Sequence, residues 1–329
     1  MYFCAVNINF FDIKDDAAFE KAALSLFYHQ AKNCSVYASF IHHLGIQPNG
    51  ITAYRQIPFL PINFFKSHDV VSNLAAPDIV FKSSATTSQT HSRHLVCDVE
   101  VYEQSFNLAF EQFYGSIKNT CLLALLPSYL ERDGSSLIYM VDSLLKQSEH
   151  PKSGYFLHDL NSLYQTLKEL QIARQKTILI GVTYALLDFV EQFELEFPEL
   201  IVMETGGMKG KRKELVREEL HHLLCKGFGL AKIHSEYGMT ELLSQAYSVG
   251  DGIFNCPPWM KILLRDMYDP LMLVENKQTG GINVIDLANV NSCSFIATQD
   301  LGKLHEDGSF EVLGRFDNAD IRGCNLLVQ

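Results

Sequence analysis

The strongest constraint on the fold is an alternation. Between residues 99 and 237, stretches with helical apolar spacing alternate with short, unbroken apolar runs. Helical spacing at 99–116 is followed by "CLLALLP", at 135–147 by "SGYFLHD", at 160–173 by "KTILIGVT", at 184–194 by "ELIVMETGG" and at 212–226 by "GLAKIHSEYG". An apolar run without polar alternation suits a strand covered on both faces, and the intervening helices supply that cover. The pattern predicts an α/β chain with wound, mainly parallel sheets. In such sheets ligands bind beyond the carboxyl ends of the strands, so those ends are where chemistry is sought.

The flanking regions read differently. Residues 1–75 form a mostly helical segment packed on the core, with Asp15 and Asp16 at the start of "DDAAFEKAALSLFYHQAKN" and a two-proline connection in "IPFLPINFFKS". Helical spacing stops near 255. "WMKILLRDMYDP", "GGINVIDLA", "CSFIATQDLGKL" and "GSFEVLGRF" then read as short strands. They predict a small β-barrel-like subdomain over 255–329, ending at a hinge with a short tail, beside an α/β core at 76–254. Within the core, the apolar stretch Leu230–Ile233 is expected to be the strand that leads into "HSEYGMTELLSQ".

The net charge of −11 argues against a nucleic-acid partner, and the basic cluster at Lys209–Lys213 is too short to reverse it. No run reaches the length of a membrane span, and the N-terminus shows no signal-peptide pattern. The eight cysteines are spread singly with no CxxC, which predicts reduced thiols in the cytoplasm and argues against zinc.

Four stretches fall at strand ends. Ser83, Ser84, Thr86, Thr87 and Ser88 belong to a hydroxyl-rich run that can wrap phosphate oxygens, although such a run is also an ordinary solvated loop. It lacks the glycines and the GK[ST] ending of a Walker loop. Gly206 and Gly207 end "ELIVMETGG", where a bare backbone admits a flat ring or simply turns. Tyr237-Gly238-Met239-Thr240-Glu241 places a hydroxyl for phosphate at Thr240 and an oxygen ligand for Mg2+ at Glu241. A helix start capped by Thr240 is the plainer alternative. Asp300 can accept from a ribose diol and Arg315 can reach a hydroxyl or phosphate, on a hairpin turned at "EDGS".

Taken in order, these stretches resemble the adenylate-forming (acyl-activating) superfamily, whose later motifs look like "YGxTE", "GDL" and "GRxDD". The likeness is closest to the LuxE-type acyl-protein synthetases of bacterial luminescence. It is carried by "FLPINFFKSHDVV" leading into "FKSSATTSQTHSR", and by the ending "RGCNLLVQ". The resemblance implies an adenylate-forming domain without the C-terminal lid domain. It also implies ATP and Mg2+ as cofactors, and a carboxylic, fatty acid as substrate. Ser83–Thr90, Thr240 and Glu241 would hold phosphates and metal. Gly206, Gly207, Tyr237 and Gly238 would line the nucleotide slot, and Asp300 and Arg315 would hold the ribose side. Cys324 matches the cysteine that carries the acyl group before it passes to a partner reductase, a carrier protein or another acceptor. The chain departs from the family pattern at Ala85 and Ser88, where glycines are usual, and at Arg93, near the usual lysine. Two alternatives stand beside this reading: an acyl- or aryl-CoA ligase, and a catalytically weak adenylation-like subunit that binds acyl groups or nucleotide.

Overall fold

The computed structural model describes residues 9–73, 75–83, 91–126, 134–206, 215–274 and 278–316. Helices α1 (Asp16–Asn33) and α2 (Ser35–His43) open the chain. Asp15 caps α1, its Oδ1 accepting from Ala18 N at 2.8 Å, as an acidic N-cap should. Strand β1 (Leu60–Pro61), the short helix α3 (Phe64–Ser67) and the hairpin β2 (Ile79–Lys82) and β3 (Arg93–Val96) follow. The alternating region then supplies α4 (Val99–Tyr114), β4 (Cys121–Leu125), α5 (Ser136–Ser148), β5 (Gly154–Tyr155), α6 (Leu160–Ile172), β6 (Thr177–Gly181), α7 (Thr183–Val190), β7 (Ile201–Glu204), α8 (Arg217–Phe228) and β8 (His234–Tyr237). The remaining strands are β9 (Ala246–Ser248), β10 (Ile253–Asn255), β11 (Met260–Arg265), β12 (Thr279–Asp286), β13 (Phe295–Leu304) and β14 (Phe310–Arg315).

Among the described residues, twelve strands form one sheet in the order β11-β12-β13-β14-β10-β9-β8-β7-β6-β4-β5, with β1 added alongside β13. Strands β4 to β8 pair in parallel, as the alternation predicts, and β4 and β6 are buried at every residue. Strands β9 to β14 pair antiparallel and continue the same sheet. The helical N-terminal segment lies against that antiparallel part, where the Tyr37 ring stacks on Phe295 at 6.1 Å. Gln30, wholly buried, donates to the carbonyls of Asn289 and Val290 and accepts from Ser294 N. A long side chain with all its polar atoms bonded is the kind that a core tolerates.

The helix boundaries that differ most from the sequence expectation are those of α7 and α8, and one strand is displaced. Helix α7 ends at Val190 and α8 begins at Arg217, so both are shorter than their apolar spacing. The strand expected at Leu230–Ile233 is instead the polar tetrad His234–Tyr237. Of residues 230–233 only Ile233 is buried, whereas Ser235 and Tyr237 have hydrogen-bond partners on other strands and can be buried. Partnered polar groups outcompeted a run that merely looked apolar.

Candidate functional site

The carboxyl ends of β7 and β8 adjoin, because Glu204 pairs with Ser235 in the parallel ladder. Glu204 ends β7 as a buried hub. Its Oε1 accepts from Arg217 Nη1 at 2.9 Å and from Ser235 Oγ at 2.9 Å. Its Oε2 accepts from Gly206 N at 2.8 Å and from Thr183 Oγ1 at 3.1 Å. Burial alone would raise its pKa. His221, Arg217, Gly206 N–H and Ser235 outweigh that and hold it at about 2. His221 Nε2 lies 3.8 Å from Glu204 Oε1, beyond hydrogen-bond reach. The hub fixes the turn at Gly206, whose φ of +70° suits glycine and above which a Cβ would meet none of the described residues within 4 Å. That open space over a bare backbone fits a flat ring.

At the end of β8, three expected site residues come together. Tyr237 Oη donates to Asp300 Oδ2 at 2.9 Å, and Arg315 Nε lies 3.4 Å from Asp300 Oδ1. The Tyr237 ring stands edge-on to Phe254 and Phe310. Its hydroxyl therefore orients Asp300, and Asp300 keeps further lone pairs for a diol. Arg315 is mostly exposed, so its link to Asp300 contributes little stability and leaves the guanidinium free to turn toward a ligand.

The turn that follows is clamped by residues the sequence did not single out. His94 of β3 bridges the Thr240 carbonyl (Nδ1, 2.8 Å) and the Asn289 side chain (Nε2, 3.0 Å). Asn289 Nδ2 donates to the Glu241 carbonyl at 2.8 Å. Buried Asp286 accepts from Leu243 N, Ser244 N and Ser244 Oγ at 2.8, 3.0 and 2.6 Å. Burial lowers the His94 pKa to about 4, against the Thr240 and Asn289 hydrogen bonds, which favour the charged ring. The clamp occupies the backbone carbonyls. The Thr240 hydroxyl has no hydrogen-bond partner among the described residues, which leaves it free for a ligand.

Glu241 is buried, and burial pushes its pKa up, with Ser92, Arg315 and Lys66 opposing. A buried carboxylate held above its usual range is stabilised by a cation. No cluster of three or more His, Cys, Asp or Glu suited to a metal occurs among the described residues. A single carboxylate fits Mg2+, which completes its shell with phosphate oxygens and waters. A structural zinc would need more protein donors.

The hydroxyl-rich run is described only at its base. Ser83 N donates to Ser92 O at 3.1 Å, and Ser92 N donates to Ser83 Oγ at 2.9 Å. Ser83 thus closes the neck of the loop between β2 and β3. Arg93 pairs with Asp69 on the surface. Ser84, Thr86, Thr87, Ser88, Gly207 and Cys324 lie outside the described residues, as does the stretch around Asp317. Cys256, beside Pro257, is pushed well up by burial and by Asp286, and is a poor thiolate. The thiols of Cys34, Cys97, Cys121, Cys225 and Cys293 are also raised by burial. Thr183, Tyr184 and Met203, near the ends of β6 and β7, are buried, and the Thr183 hydroxyl serves Glu204.

Comparison with known proteins extends this geometry. The model of the family described as acyl-protein synthetase, LuxE, matches residues 3–329. No curated protein matches the chain by sequence. Among solved structures, the chain is similar to an open conformation of 2-hydroxyisobutyryl-CoA ligase in complex with 2-HIB-AMP and CoA. That likeness has a TM-score of 0.70 and 13% identity, over 92% of this chain and 70% of that one. The same ligase in its thioesterification state aligns with a TM-score of 0.70 and 14% identity, over 94% of this chain and 70% of that one. ATP-bound MatB from Rhodopseudomonas palustris aligns with a TM-score of 0.54 and 17% identity, over 74% of this chain and 49% of that one. At these identities the likeness is one of fold. Among the described residues, no helix is long and apolar enough to cross a membrane.

Proposed function

Since the chain belongs to the LuxE acyl-protein synthetase family, we propose that it activates a carboxylic acid with ATP and then carries the acyl group on Cys324. In the first half-reaction a carboxylate oxygen attacks the α-phosphorus and pyrophosphate leaves. Asp300, oriented by Tyr237, holds the ribose, and Gly206 and Gly207 admit the adenine. Gly238 leaves the turn open. Thr240 and the loop from Ser83 to Thr90, with Ser84, Thr86, Thr87 and Ser88, hold phosphate oxygens, and Arg315 supports the nucleotide. Mg2+ on Glu241 would neutralise charge on the phosphates. The convergence of Tyr237, Asp300 and Arg315 beside the clamped Thr240–Glu241 turn carries this reading.

In the second half-reaction the Cys324 thiolate attacks the acyl carbon and AMP leaves. Every described cysteine is raised by burial, which supports a nucleophile elsewhere in the chain. The acyl group then passes to an acceptor such as a partner reductase or a carrier-protein thiol. A reduced thiol suits the cytoplasm. By family likeness, a fatty acid is the first acid to try. Acyl-CoA release is the second reading, favoured by the CoA-bound ligase among the similar structures.

Intact mass after incubation with Mg-ATP and a panel of acids tests the proposal. Wild type should gain a hydroxylamine-labile acyl adduct, and Cys324→Ser should not, while both support pyrophosphate exchange. Soluble acyl-CoA without an adduct would move the assignment to the second reading. No adduct and no exchange would sink both and leave a binding subunit.

A further inference from the structure

Glu236 has no part in the site as described above. As the third residue of β8, its side chain leaves the sheet on the face opposite Ser235 and Tyr237. Across the ladder it faces Tyr247 of β9. Among the described residues its carboxyl has no hydrogen-bond or ion-pair partner. The side chain folds back over Gly238: a Cβ there would lie 2.3 Å from Glu236 Oε1 and 3.3 Å from Gln245 Cγ. Gly238 is exposed, so the carboxyl stands at an opening beside the Tyr237–Glu241 turn.

The neighbours share the same unmet demand. Gln245 and Tyr247 are 4% and 0% exposed, yet Gln245 Oε1 and Tyr247 Oη have no partner among the described residues. Tyr114 Oη, whose ring lies 5.4 Å from that of Tyr247, also lacks one among those residues. Buried polar atoms are nearly always bonded, so several orphans around one carboxyl point to a missing ligand. All four groups can accept from it, and Glu236 is also an acid whose ionisation burial, and then Glu204, disfavour while it has no partner. A hydrocarbon tail would leave all of them unbonded, and a carboxylate or phosphate would only add acceptors where acceptors already gather. A primary ammonium supplies three donors and the opposite charge.

We propose that Glu236, with Gln245 and Tyr247, binds the ammonium group of an amine-bearing carboxylic acid, and that such an acid is what the adjoining turn activates. This rests on the adenylation reading above and replaces the plain fatty acid with an amino acid-like substrate.

The test compares leucine and ε-aminocaproate with their deaminated counterparts, isocaproate and caproate, on the full chain and on Glu236→Gln. Pyrophosphate exchange reads activation, and calorimetric titration reads binding without chemistry. At least one amine-bearing acid should exceed its counterpart about tenfold or more in both readouts, as a charge-assisted hydrogen bond warrants. In Glu236→Gln that ratio should fall toward one. Exchange that favours the deaminated acids, with a ratio unmoved by Glu236→Gln, would overturn the subsite and leave adenylation standing. Binding that favours the amine without any exchange would keep the subsite and sink adenylation. Neither binding nor exchange with any of the four would overturn the subsite, while adenylation stands or falls with the wider panel of acids above.

Discussion

The turns after β7 and β8 sit side by side, and both are built on glutamates, but the glutamates are in opposite states. Glu204 has four hydrogen-bond donors and is held at about 2. Glu241 and Glu236 are short of donors, and burial pushes both up, Glu236 to about 8. A satisfied buried carboxylate is a structural part, because any ligand would have to displace what it already holds. An unsatisfied one is costly unless something else binds it. The comparison assigns Glu204 to scaffolding beneath the β7 turn and the glutamates of the β8 turn to binding, although the two turns carry similar sequence signals.

Removing Glu204 should produce the largest effect. Glu204→Ala leaves Arg217, Ser235, Thr183 and the Gly206 N–H without their acceptor, and should cost about 3–5 kcal/mol in denaturant unfolding. The pH dependence has a defined sign. Glu204 is depressed in the folded chain, so its stabilisation is present above the ordinary glutamate pKa and is lost as pH falls toward about 2. Glu204→Ala should flatten that acid limb. A variant of wild-type stability would break the scaffold assignment.

Glu241→Gln should act the other way round. It removes an unfavourably buried charge, so the melting temperature should be no lower than wild type. Pyrophosphate exchange should fall by about a hundredfold or more, the scale on which a group stabilising transition-state charge acts. Loss of stability with exchange intact would make Glu241 another Glu204 and dissolve the contrast.

Much of this fold was legible because helices and two-face-buried strands leave periodic marks in the sequence. The parallel half, β4 to β8, announced itself through apolar runs. Strand β8 was misplaced by one run because its burial rests on partners in other elements, which no local pattern displays. The site divides in the same way. Tyr237, Asp300 and Arg315 were visible as motifs, and the structure brings them together. Glu204 was passed over for the glycines after it, since its four partners come from scattered positions. Asp286 did leave a signal: a lone acid inside the apolar strand "INVIDLA" requires buried partners. His94 and Asn289 left none, being 195 residues apart and serving backbone carbonyls.

His94 gives the smallest and most discriminating test, because it joins the neck of the hydroxyl-rich loop to the binding turn. If the clamp only stabilises, His94→Gln should cost about 1–2 kcal/mol through the unpaired Thr240 carbonyl and leave exchange by the folded protein intact. If it positions Thr240 and Glu241, exchange should also fall about tenfold, in kcat more than in the KM for ATP, because misplacement weakens contacts made in the transition state. The clamp geometry favours the second outcome. Both carbonyls it holds belong to the two residues expected to meet phosphate and metal, so relaxing it moves those side chains first. A matching variant at Asn289 should show the same split between kcat and KM. A fall in stability alone at both positions would place the clamp with Glu204 and shrink the binding region to Glu241, Tyr237, Asp300 and Arg315.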